Sequence, residues 1–168
     1  MKTRGRNLAG EGIIFGVLAG LVLLLGELLV AALAGAPTIR PLQMAASVAF
    51  GREAFALHSD HAAVPGGAVH LALSALFGFV YSQFFVRASL DTSRSYQREA
   101  GYGAAFGLAL WVINFQLVAR AALPWFLDAS QAVQAMMHAL LFGLPLGLMM
   151  AASERRVASL STLTESAA

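Results

Sequence analysis

The sequence predicts an all-α integral membrane protein: a four-helix bundle with a short amphipathic or re-entrant helix between helices 1 and 2. Three observations predict it. Hydrophobic residues make up 58% of the 168 and charged residues 12%, with a mean hydropathy of +0.70. That is too little charge to cover a water-soluble domain of this size. Four stretches, about 8–34, 66–86, 101–123 and 132–152, each reach the roughly 20 apolar residues that cross a hydrocarbon core. Each stretch also carries small residues spaced by four, the pattern that lets helix backbones approach closely in lipid.

The first helix opens after the basic run "MKTRGRN". Its apolar length exceeds the roughly 7–15 residues of a signal h-region, so it reads as a retained span. Its ridge is Gly12, Gly16 and Gly20. Residues 35–65 form the one long connection, opening on two prolines and closing on a third. Within it, 41–57 has helical composition, with Leu42, Ala45, Val48, Ala49 and Phe55 on one side and Gln43, Ser47 and Glu53 elsewhere. Such a segment lies on, or dips into, the outer face. The second span has Ser74, Gly78 and Ser82 on its ridge, the third Gly103 and Gly107, and the fourth Ala139, Gly143, Gly147 and Ala151. Pro145 cannot donate to Leu141, which predicts a kink in the fourth helix. Residues 153–168 read as a frayed cytoplasmic tail.

With the N-terminus cytoplasmic, the inside segments hold Lys2, Arg4, Arg6, Arg87, Arg94, Arg98, Arg155 and Arg156, and the outside holds Arg40, Arg52 and Arg120. Eight against three places both termini in the cytoplasm. Pro124 and Trp125, followed by Phe126, anchor the outer end of the third helix. The absence of cysteine excludes disulfides, thiolate metal sites and cysteine nucleophiles. The sequence offers no basic run interleaved with aromatics for nucleic acid. It also lacks a phosphate loop, a dinucleotide fingerprint and a Ser–His–Asp order.

The segment "LLLGELLV" puts Glu27 in an apolar run. Helical phase places it about 20° from the line through Gly16 and Gly20, facing a neighbouring helix. By helical rise, Glu27 sits roughly 7 Å outward of its helix centre, His70 roughly 10 Å, and Asn114 and His138 about 4 Å. These four form an outer polar layer and an outward-facing pocket for a ligand or proton, above an inner half that reads as an apolar plug. Intramembrane ionisable groups point to function. The plainer reading makes Asn114 a tie between helices, and has Arg120 snorkel to the headgroups. The run "HSDH" adds His58, Asp60 and His61 near the pocket mouth. It suits a wet turn better than a metal site.

The order of a Glu near the end of helix 1, "RPLQMAASVAFGREAF", "VHLALSALFGFVYSQFF", a third helix ending in Pro124–Trp125, and "AMMHALLFGLPLGLMMA" resembles the YagU-like small bacterial inner-membrane proteins. The resemblance implies the fold and the polar set at Glu27, His70 and His138, and brings no reaction. The leading expectation is therefore a non-enzymatic membrane subunit or envelope component. Its partners are the lipid bilayer and other membrane subunits or further copies of itself. One alternative is a pore or carrier for protons or a small solute. Another is a cofactor protein, with haem b on His70 and His138, or a divalent metal on His58, Asp60, His61 and His70. No cofactor is firmly predicted.

Overall fold

A computed structural model describes residues 7–86 and 95–166. Among these residues there are five helices and no strand. α1 is Leu8–Leu33, its first turn capped by the Asn7 side chain, which accepts from Gly10 N. α2 is Arg40–Phe50, with proline in its first turn, and runs into a 3-10 segment Gly51–Ala56. Gly51 makes that junction at φ +67°, a conformation that disfavours residues with a Cβ. α3 is Ser59–Tyr81, ending in a π-helical turn Ser82–Val86. α4 starts as Tyr96–Trp111 and continues through a π-helical Val112–Val118 and Ala119–Ala122. A 3-10 turn, Pro124–Asp128, leads to α5, which starts as Gln131–Met137, widens to a π-helical His138–Gly143 and continues as Leu144–Ser166.

α1, α3, α4 and α5 each contain a stretch long and apolar enough to cross a membrane. The predicted ridges meet in two antiparallel pairs. In the first, α1 lies on α3: a Cβ at Gly16 would run into the Ser74 carbonyl, and a Cβ at Gly78 would reach the backbone of Gly12 and Gly16. In the second, α4 lies on α5: a Cβ at Gly103 would meet the Gly143 carbonyl, and one at Gly107 the His138 carbonyl. α1 also packs against α5. There Leu23, Met137, Phe142, Leu146 and Met150 build a core with Tyr81 and Phe106. Large apolar groups such as Leu25, Leu29 and Leu117 stay outward, as lipid-facing surface does.

Several expectations are corrected. α3 begins at Ser59, not 66, with Pro65 inside it. Pro65 lies in the second turn, where its missing N–H leaves the His61 carbonyl without its helical donor near the outer end of the apolar stretch His61–Phe84. "HSDH" is thus the start of a helix, with His58 as its N-cap, and the side chain of Asp60 lies outside the described residues. α4 begins at Tyr96 under the Ser95 cap, which carries Glu99 into the bundle at 1% exposure. Tyr81 and Ser82 are fully buried with it in the inner half, so that half is no apolar plug. α5 runs on to Ser166, since no Gly or Pro interrupts 148–166; the expected frayed tail is helical.

α2 is turned over. Its polar residues Gln43 and Ser47 are buried, while Val48 and Phe50 stand 42% and 56% exposed. In lipid an exposed apolar side chain costs nothing, whereas an unpaired polar group does. Gln43 Nε2 donates to Leu57 O at 3.0 Å, and Ser47 Oγ donates to Met44 O at 2.7 Å while accepting from Trp125 Nε1 at 2.8 Å. The backbone of Leu42 seats on Gly66 of α3.

The pairing predicts contrasting results along a single helix. Gly107→Ala pushes a methyl into the α5 backbone and should destabilise by about 1–3 kcal/mol. Gly101→Ala, with nothing within 4 Å of its Cβ, should be neutral or stabilising by up to about 1 kcal/mol. Unfolding midpoints in detergent distinguish them.

Candidate polar site in the outer half

α1 sets the direction of Glu27. Gly20 faces Ser74 and His70 of α3, and Gly26 faces Met137 and Leu141 of α5. Glu27 lies about 20° from the Gly20 direction and about 100° from Gly26, so it points into the angle between α3 and α5. It is half-buried. Its carboxylate has no hydrogen bond or ion pair among the described residues.

His70 crosses to the α1 backbone: its Nε2 lies 2.8 Å from Gly20 O. A carbonyl only accepts, so Nε2 carries the proton and Nδ1 keeps a lone pair. His138 is 9% exposed, and its Nδ1 lies 2.9 Å from Gln134 O, one turn earlier. By the same reasoning, Nε2 of His138 is the nitrogen with a lone pair. Phe77, two turns inward of His70 on the same face, meets Phe142 edge-on at 6.5 Å. Phe142 stands one turn inward of His138. Both imidazoles therefore sit above one aromatic floor.

Asn114 has no side-chain hydrogen bond among the described residues. It falls in the π-helical stretch of α4, where Ala119 N–H reaches back five residues to Asn114 O. The extra residue in that wide turn rotates the following side chains by about 100° relative to an α-helix. Phe115, 4% exposed, takes the place against His138 with ring centroids 5.5 Å apart, and is itself backed by Phe126 at 5.6 Å. The apolar ring occupies space that a pocket would need. Two open concavities lie elsewhere. One of about 320 Å³ is lined by Phe50, Glu53, Ala54, Leu57, His61 and Pro65. The other, of about 230 Å³, lies at the inner ends of α1 and α5.

Gln134, one turn before His138, belongs to the site although the sequence reading left it out. Its Oε1 is buried with no hydrogen-bond partner among the described residues. Its spacing to His138 was the available signal. Arg120, expected to snorkel, instead holds Gln116 Oε1 at 2.9 Å, and Gln116 Nε2 reaches Gln131 Oε1 at 3.1 Å. This chain ties α4 to α5 above the site. Among the described residues no group of three or more His, Asp and Glu side chains is arranged to hold a metal ion. What remains is a carboxylate, two imidazole lone pairs and an amide oxygen, all suited to a proton or a hydrogen-bond donor.

Glu27→Leu should leave stability unchanged or raise it, because an unpartnered carboxyl gives way to an apolar group in an apolar span. His70→Ala removes a bond between helices and should cost about 0.6–1.7 kcal/mol. Thermal unfolding of both variants in detergent measures the contrast. Comparison of the chain with protein-family models, curated proteins and solved structures gives no match, so the reading of this site rests on its own geometry.

Proposed function

We propose that the protein is a non-enzymatic multi-pass protein of the bacterial inner membrane, with both termini cytoplasmic. In this reading it is a small membrane subunit or envelope component that presents Glu27, His70 and His138 in its outer half. The supporting observation is Glu27. A bundle that ties His70, Gln116 and His138 with specific bonds leaves a carboxylate unanswered where lipid penalises it. Such a group belongs to a contact or a proton that the isolated chain does not supply. The resemblance to the YagU-like proteins agrees with this reading.

A second reading, a proton or small-solute path, gains from Glu99. The sequence reading placed no acidic group in the inner half, and the fold buries one there. Between the two layers lie Phe106, Leu110, Phe142 and Leu146. The Glu99 backbone sits against Gly147, nine residues along α5 from His138, so helical rise puts the layers roughly 14 Å apart. The path would therefore need a change of conformation or intervening water. The free nitrogens of His70 and His138 are also the donors that a haem iron or a divalent ion would use. An absorption spectrum with metal analysis of the purified protein decides that reading.

Isolation in a gentle detergent should recover a stoichiometric membrane partner or a homo-oligomer; consistent recovery as a lone monomer counts against the subunit. Because the chain is free of cysteine, single replacements report topology directly. Ser130→Cys should react with an impermeant maleimide on intact spheroplasts, and Ser159→Cys only after the membrane is opened. Proton flux in proteoliposomes that both Glu27→Gln and Glu99→Gln abolish would favour the second reading, and flux indifferent to both would remove it.

A further inference from the structure

The cleft at the inner ends of α1 and α5 is independent of the polar layer. It encloses about 230 Å³ and is lined by Phe15, Met149, Ala152, Ser153 and Arg156. The four α5 residues stand at i, i+3, i+4 and i+7, so they form one stripe on one helix face. The stripe is graded. Met149 and Ala152 are apolar, Ser153 is polar, and Arg156 is the last residue of the membrane-crossing stretch Gln131–Arg156. Helical rise makes it roughly 10 Å long. Phe15 supplies the opposite wall from α1.

The charges at the mouth are distinct. Arg155 is stacked over the Tyr96 ring at 4.2 Å, on another side of the helix. Glu11 Oε2 accepts from Ser153 Oγ at 2.8 Å. Arg156 is exposed, and its guanidinium has no ion pair among the described residues. The cleft thus has an apolar floor at the depth of the acyl chains and a cation at the height of the headgroups. It opens outward from the bundle, where hydrocarbon chains are its neighbours.

We infer that this cleft is a binding site for an anionic phospholipid, with one acyl chain along Phe15, Met149 and Ala152 and the phosphate on Arg156. A basic side chain at the head of an interhelical groove is the arrangement that retains anionic headgroups. Guanidinium is the group best suited to phosphate, through paired hydrogen bonds.

Native mass spectrometry of the full-length protein, incubated in detergent with equimolar phosphatidylglycerol and phosphatidylcholine, tests the site. The expected result is preferential retention of phosphatidylglycerol. Arg156→Gln should reduce that retention roughly fivefold, the effect of one basic group near an anionic headgroup, and Arg155→Gln should leave it unchanged. Ala152→Phe fills the cleft and should reduce retention of both lipids. Equal retention of the two lipids by the unaltered protein would overturn the site. So would unchanged phosphatidylglycerol binding by Arg156→Gln, or equal losses from the two arginine variants. Arg156 is exposed, so its replacement reports on binding even where Ala152→Phe fails to fold.

Discussion

In lipid, two helices gain nothing by hiding apolar side chains from each other, because the acyl chains are equally apolar. Dispersion between closely approached backbones has to hold them instead. Glycine on one helix opposite a carbonyl on the next is how this chain achieves that approach. The same approach has a second effect, which is to fix the positions of polar groups. Gly20 brings its own carbonyl within reach of His70. Gly107 brings α4 down onto the carbonyl of His138. Packing and placement of the two imidazoles are therefore one event, and a change that separates the helices also releases the rings.

The wide turns in α4 and α5 extend this coupling. Pro145 removes a donor from α5, and the π-helical His138–Gly143 lies immediately ahead of it, with Leu144 N–H reaching back five residues to Ala139 O. The turn takes up an irregularity that would otherwise leave a bare carbonyl in the bilayer. The matching turn in α4 delivers Phe115 to the face of His138. Two local departures from α geometry thereby close the site with an aromatic ring.

Much of this was legible in the sequence. The bounds of α1 and the glycines that join α1 to α3 and α4 to α5 follow from apolar length and spacing by four, which are local signals; Gly26 and Gly66, which also pack closely, lie outside those ridges. The direction of Glu27 was also legible, since α1 is regular α-helix from Leu8 to Leu33 and phase carries through it. The meeting of Phe115 with His138 was not legible, because it follows a wide turn that shifts phase, and that turn depends on neighbours that no window along the chain contains. The pattern of α2 separates Gln43 and Ser47 from its apolar side without saying which side meets the bundle. In soluble helices it is the apolar side, and in lipid the polar side seeks protein. Glu99 escaped notice because it lies among the charges that precede the third apolar run, although the Ser95 cap starts the helix before it.

The inverted face of α2 has a consequence for biogenesis. Eleven residues are too few to be inserted as a span, and α2 leaves the ribosome before the Gly66 and Trp125 that seat it exist. Gly66, on which it seats, follows about 24 residues later, and Trp125, which bonds to Ser47, about 78 residues later. Until the turn after α4 has been synthesised, Ser47 has no indole to meet. The contact that fixes Ser47 is therefore completed only after the turn that follows α4 has been made. α2 behaves as a latch, set early in the chain and closed late.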